Sequence, residues 1–415
     1  MTEKGLYFRK DIAIEDGRII AIGDIPEDFQ AEKTIDAEGK LLLPSFINAH
    51  THLSMGLMRN YRDNCSNLMD WLSEIWPIED KLNADDIYSA SLLGAAELIK
   101  SGCTLFSDMY FFQPSTVKAA KEAGIRGVIG QTLFGDGRET DRRLREVYPE
   151  IVEAIDGDDR YRIDIAPHAI YTCTGETYTK AREYAEKLGC MVNTHLSETG
   201  KEVDDCIAEH GKTPLLYLKE INALTGNMYL AHGVHLTDEE LDICAEMGIS
   251  IVHNPSSNAK LASGTLSVAN AMAHGVNVAL GTDGASSNNN LDMLEEMHVA
   301  ALIATTENGI PSKVSAYDVI AMATVNGAKA LHLDDRLGTI EVGKDADLIL
   351  IDTEAVNMTP LNDPFSAVVY SASSENIDTV LCRGNVLMEG RVLNGLDERE
   401  IIRNARATWE ELKSR

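Results

Sequence analysis

Eight apolar, β-branched runs recur along the chain, and their spacing restricts the fold more than any other feature: Leu41–His52, Cys103–Tyr110, Arg126–Phe134, Tyr161–Thr172, Cys190–Glu198, Met228–Leu236, Ile249–Asn258 and Val276–Ala285. Amphipathic stretches lie between them. Asn83–Gly102 opens on aspartates suited to the positive end of a helix and closes on a glycine suited to its stop. Pro114–Gly124, Gly175–Gly189, Thr237–Gly248 and Leu266–Gly275 follow similar patterns. Near-continuous apolar strands alternating with helices imply a parallel sheet covered by helices. Eight such units predict an α/β protein whose strands close into a (β/α)8 TIM-type barrel.

Both ends break this rhythm. Asp11–Gly23 reads as a hairpin with its turn at Glu15-Asp16-Gly17, and Gly343–Asp352 and Thr379–Leu393 read as short strands with glycine turns. Strands at both termini predict a small β-sandwich built from residues 1–44 and 338–396. The barrel then occupies 45–337, and a charged helix ends the chain over 397–415.

Composition narrows the partners. With 37 basic and 66 acidic side chains the net charge is −29, and no Lys/Arg stripe offsets it, which excludes a nucleic-acid partner. No apolar stretch approaches the ~20 residues that span a bilayer. Met1–Lys10 carries no apolar leader core, and the seven cysteines (Cys65, Cys103, Cys173, Cys190, Cys206, Cys244, Cys382) form no CxxC pair. Reduced thiols in core positions and a cytoplasmic location are the expectation. The expected assembly is a homo-oligomer.

The chemistry sits at the ends of the apolar runs. His50 and His52 lie two apart on the first run, so both imidazoles point to one face. His195 ends the fifth run, with Glu198 three residues on, and Asp283 ends the eighth. Barrel active sites form at strand C-termini, where these four would meet. Three imidazoles and a carboxylate suit one Zn²⁺, with a position left for water; Fe²⁺ accepts the same donors. His232 ends the sixth run and would sit beside that water as a base or electrostatic guide. His235 and His253 read as architectural candidates. His210, His274, His298 and His332 fall on helices or helix ends, where solvation or packing explains them.

The ordered motifs HTH, HLSE, AHGVH, HNPSSNAKLASG and GTDGASSNNNLDMLEEM resemble those of the amidohydrolase superfamily. Within it, the chain is similar to the 5′-methylthioadenosine/S-adenosylhomocysteine deaminases and 5′-deoxyadenosine deaminases over nearly its whole length. The resemblance implies His50, His52, His195 and Asp283 as metal ligands, Glu198 as proton shuttle to the ring nitrogen, and His232 steering the water. It further implies Glu79 on the ribose hydroxyls, Trp71 over the purine or the 5′ group, and His168 as a substrate-binding residue. The arginines that hold the 5′ substituent fall in the loop after the third strand. Arg138, Arg142 and Arg143 all lie near, with Arg143 the assigned choice. The chain departs from the family's LFRGVADD pattern at Leu57-Met58-Arg59-Asn60-Tyr61-Arg62-Asp63-Asn64, which is expected to add Tyr61 and Arg62 at the mouth of the site.

The implied activity is hydrolytic deamination of an adenine nucleoside with a modified 5′ end (methylthio, homocysteinyl or deoxy), or of adenosine, releasing ammonia. A two-metal amide hydrolase would need a bridging lysine on an inner strand, and Gly127–Phe134 carries none. A relative acting on guanine, cytosine or a chlorinated triazine keeps the same metal residues and is the alternative. A binding protein on a barrel would have lost ligands. Zinc deaminases with an HxE and PCxxC signature are excluded, since no PCxxC occurs.

Overall fold

A computed structural model describes residues 10–310 and 313–415. The start of the chain, read above for the absence of a leader, lies outside the described residues except for Lys10. β1 (Ile12–Glu15) and β2 (Arg18–Ile22) form the expected hairpin. Asp16 and Gly17 both take positive φ at its tip, the conformation that matches the twist of two-residue hairpins.

The run Leu41–His52 divides between two sheets. β3 (Lys40–Pro44) joins the terminal sheet, and β4 (Phe46–His52) begins the barrel after Ser45. β5 (Cys103–Tyr110), β6 (Arg126–Leu133), β7 (Tyr161–Pro167), β8 (Val192–Leu196), β9 (Met228–His232), β10 (Ser250–His253) and β11 (Val278–Leu280) follow as parallel neighbours in chain order. β12 (Asp283–Gly284) pairs back with β4 at Thr51 and His52 and closes the ring. The eighth strand is thus split at Gly281–Thr282. At the gap Asn48 replaces the ladder: its Nδ2 donates to Thr282 Oγ1 at 2.7 Å and its Oδ1 accepts from Thr282 N at 3.0 Å. Gly281 is required there, because a Cβ would lie 2.7 Å from the His50 carbonyl oxygen.

β13 (Leu348–Asp352), β14 (Ile377–Cys382), β15 (Asn385–Glu389) and β16 (Val392–Leu393) build an antiparallel sheet with β3 at its edge, in the order β16-β15-β14-β13-β3. The β1–β2 hairpin packs on it through Ile19, Ile340, Ala346, Leu348 and Leu381, so both chain ends share one apolar layer. Arg126, at the start of β6, ties this sheet to the bottom of the barrel by buried bonds to Asp345 (2.7 Å) and Asp347 (2.9 Å).

Helices cover the barrel. Ala84–Lys100 begins with a capping box between Asn83 and Asp86, and Gly102 beyond its end has φ 85°. The terminal helix Glu398–Ser414 packs on it. One expectation is corrected: the segment after the third barrel strand is a helix, Gly137–Ile155, and not a loop. Asp136 caps it by accepting from Arg138 N and Glu139 N, and Thr140, Leu144, Tyr148, Ile151 and Ile155 form its buried stripe. All seven cysteines are free thiols, six of them buried. Among the described residues no helix is long and apolar enough to cross a membrane.

Candidate metal centre and active site

Parallel strands bring all their C-terminal ends to one face, and that face gathers the predicted groups. His50, His52, His195 and Asp283 present one donor atom each, all within 4.8 Å of one another. His195 Nδ1 faces the His168 carbonyl at 3.0 Å and His52 Nδ1 faces the Met109 carbonyl at 2.6 Å. Each Nδ1–H therefore donates outward, and the Nε2 lone pairs point to the centre. There His195 Nε2 and His50 Nε2 stand 3.1 Å apart, and Asp283 Oδ1 lies 3.1 Å from His52 Nε2 and 3.6 Å from His50 Nε2. Asp283 Oδ1 is buried without a well-formed hydrogen bond. Converging lone pairs beside an unsatisfied carboxylate oxygen fit a divalent cation, and nitrogen with oxygen suits zinc or iron.

Backbone strain marks the same points. Ser197 (φ 53°), His232 (φ 72°) and Asp283 (φ 59°) are non-glycine residues in the left-handed region, each at or just past a strand end. Burial drives His50 down to about 4 and His168 to about 3, so both stay neutral. Burial opposes charge on His52 as well, but the adjoining Asp283 carboxylate raises it to about 9, and a cation at the centre would compete with that proton for Nε2. Burial also opposes the charge of Asp283, but the close approach of the His50 and His52 imidazoles and the charge of His52 hold it well below the usual carboxylate range. Ser257 Oγ (2.6 Å) and Ser287 Oγ (2.7 Å) donate to its Oδ2, leaving Oδ1 for the centre.

Glu198 and His232 complete the inner wall. Glu198 Oε2 is 3.8 Å from His232 Nε2, and Ser263 Oγ donates to Glu198 Oε1 at 3.1 Å. Burial raises the Glu198 carboxyl, which favours a form that can give a proton. His232 Nδ1 bonds Asn258 Oδ1 at 2.8 Å, turning Nε2 toward the site.

These groups line one inner cavity with Trp71, Glu79, Tyr110, Phe134 and His168. The helix Leu68–Glu79, capped by Asn67, carries Trp71 and Glu79. Tyr110 donates to Glu79 Oε1 at 2.5 Å, and burial raises the Glu79 carboxyl. His168 bonds Thr172 Oγ1 at 2.8 Å. A larger cavity of about 860 Å³ adjoins the inner one through Trp76, Glu79, Phe111 and Phe134.

The helix Gly137–Ile155 separates the three arginines. Arg142 and Arg143 line the outer cavity; Arg143 also bonds Glu139 and the Thr132 carbonyl. Arg138 lines neither cavity: its side chain is 92% exposed and bound to Asp136. Tyr61 and Arg62, expected at the mouth of the site, line neither cavity. Tyr61 packs edge-on against Trp409 of the terminal helix, and Arg62 pairs with Glu74 at 3.0 Å. Asn60 and Arg62 on either side of Tyr61 both take the left-handed backbone region, with φ 61° and 62°. His253 is buried with neither ring nitrogen bonded. The supporting residues Ser257, Asn258, Ser263 and Ser287 stand inside the quoted motifs, but their spacing alone assigns them no partner.

Residues 41–387 match the amidohydrolase family. The chain is 42% identical over 408 residues to a 5-methylthioadenosine/S-adenosylhomocysteine deaminase of Thermoanaerobacter pseudethanolicus, covering 97% of this chain and 94% of that one. It is 43% identical over 417 residues to a 5′-deoxyadenosine deaminase of Methanothermobacter thermautotrophicus, covering 99% and 97%. Among solved structures, an adenosine deaminase from Xanthomonas campestris with bound zinc superposes with a TM-score of 0.92 at 31% identity, over 98% and 94% of the two chains. With the barrel, the split eighth strand and the four converging donors, these likenesses lead to one conclusion: the chain belongs to the amidohydrolase family.

Proposed function

We propose that this protein is a zinc-dependent hydrolase that deaminates the adenine ring of nucleosides with an altered 5′ end. One observation carries the reading: a single cavity is lined by His52, His195 and Asp283 of the four converging donors, by Glu198, and by Trp71 with the Glu79–Tyr110 pair, while His50 completes the donor set from behind its wall. The names of relatives at 42% and 43% identity supply the base.

His50, His52, His195 and Asp283 would hold a divalent cation. Bound there, it lowers the pKa of water and so supplies a nucleophile at neutral pH. Asp283, kept ionised by its imidazole neighbours, receives the proton released as water adds to the ring carbon bearing the amino group. Glu198 donates to the adjacent ring nitrogen, making that carbon electrophilic, and His232 directs the addition through Nε2. Asp283 returns its proton to the amino group, the C–N bond breaks with release of ammonia, and the remaining hydroxyl proton passes to Glu198 as the ring carbonyl forms.

Trp71 covers the purine, Glu79 accepts from the ribose hydroxyls, and His168 borders the same pocket. The 5′ substituent extends toward the outer cavity and Arg143.

The test is ammonia release from 5′-methylthioadenosine, S-adenosylhomocysteine, 5′-deoxyadenosine and adenosine, with guanine, cytosine and a chlorinated triazine as controls. Turnover of the nucleosides is expected. Turnover of a control alone would replace this reading with that of another heterocycle hydrolase.

A further inference from the structure

The signature T-x-x-E occurs at two helix starts, Thr199–Glu202 and Thr237–Glu240, and the structure uses the two glutamates differently. At the second, Glu240 reaches back to the N–H of Thr237, and the Thr237 side chain accepts from Glu240 N, closing an ordinary capping box. At the first, Thr199 likewise accepts from Glu202 N at 3.1 Å, yet the Glu202 carboxylate passes over the cap. Its Oε1 accepts from Ser197 N at 2.9 Å and its Oε2 from Glu198 N at 2.8 Å. Glu202 is 4% exposed, so this bond pair is shielded from water.

The diverted carboxylate grips the turn that aims Glu198. Ser197 holds φ 53°, a strained conformation for a residue with a Cβ, and it directs the chain from β8 across the barrel mouth. The Ser197 carbonyl is engaged by His235 N at 2.9 Å, but the N–H groups of Ser197 and Glu198 are held by Glu202. Without that acceptor two buried donors lose their partner, and the turn has no reason to keep its strain.

We propose that Glu202 is a positioning residue for the reaction: by binding the backbone of Ser197 and Glu198 it fixes the Glu198 carboxyl between Ser263 and His232. The inference rests on the reading of Glu198 as proton donor. Displacements of about 1 Å at such a group cost up to about 100-fold in rate.

Glu202→Gln tests it, because the amide keeps one acceptor and turns an N–H₂ toward an N–H. Expected are a kcat about 10- to 100-fold lower at a KM within about twofold, unchanged bound zinc, and faster hydrogen exchange at the Ser197 and Glu198 amides. Glu240→Gln is the control: it makes the same amide substitution at a buried glutamate that binds Thr237 N and Thr213 Oγ1 away from the site, and it leaves kcat unchanged. A kcat loss in Glu202→Gln no larger than in Glu240→Gln, or matched by lost zinc, would overturn the proposal. If the wild-type protein deaminates no nucleoside, the functional reading fails on its own. Amide exchange then decides for Glu202, and unchanged protection at Ser197 and Glu198 refutes it.

Discussion

At the residue scale, one carboxyl can be separated from the metal. Glu198 bonds Ser263 and faces His232, and its carboxylate is not one of the four converging donors. Glu198→Gln should therefore reduce ammonia release by about 10²- to 10⁴-fold, the range for lost acid–base help, while elemental analysis still finds one zinc per chain. Loss of zinc together with activity would make Glu198 a structural partner of the centre. HxH on a strand, a histidine at one strand end and an aspartate at another were legible from period and position, because side-chain direction along a strand is a local property. The partners that orient them were not. Ser257 and Ser287 reach Asp283 from different elements, and Asn258 reaches His232 from 26 residues away.

At the scale of elements, the helix Ala84–Lys100 seats the metal strand. Gly94 lets it approach the Leu53 carbonyl, where an added Cβ would lie 2.5 Å from the oxygen, and Leu53 directly follows His52. Gly94→Ala gains about 1 kcal/mol of helix propensity. Overlap with a backbone oxygen costs about 1–3 kcal/mol, so a lower Tm and weaker zinc binding are expected in thermal melts and zinc titrations. A raised Tm would mean that the helix slides without cost. The boundaries of this helix were readable from Asn83 and Gly102, whose cap and turn roles are local. The helix Gly137–Ile155 is illegible from local signals because Pro149 lies inside it and Asp156, not a glycine, takes the left-handed stop at its end.

Across the whole molecule, the N-terminal end of the barrel stands on an ion cluster. Arg126 binds Asp345 and Asp347 with all three side chains nearly sealed from solvent. Breaking such a buried pair costs about 3–5 kcal/mol, so Arg126→Met should lower the urea midpoint markedly at neutral pH. Burial opposes the charge on Asp347, but Arg126 depresses its pKa below the usual aspartate range. A depressed carboxyl stabilises above its unfolded value and loses that contribution as pH falls through the folded one. The gap between wild type and variant is therefore largest at neutral pH and narrows in acid; a gap independent of pH would remove the ion pair from the account. Chelation tests the opposite end of the barrel. A cation that binds only the folded chain adds to its stability, so removing the metal should lower Tm and abolish turnover, and added Zn²⁺ should restore both.

The succession of eight barrel strands, the hairpin at Asp16-Gly17, the terminal helix and the residue types of the four donor groups were determined by the sequence alone. Each follows from a short-range period, a turn residue or a residue type. Tertiary structure alone decided that two of three neighbouring arginines, Arg142 and Arg143, face a cavity, where Tyr61 and Arg62 go, how Asn48 closes the barrel seam, and why one of two identical helix-start signatures serves Glu198 instead of its own helix. Those outcomes depend on atoms brought together from distant segments. A hydrogen bond or an aromatic contact chooses its partner only after the strands have placed both groups within a few ångströms.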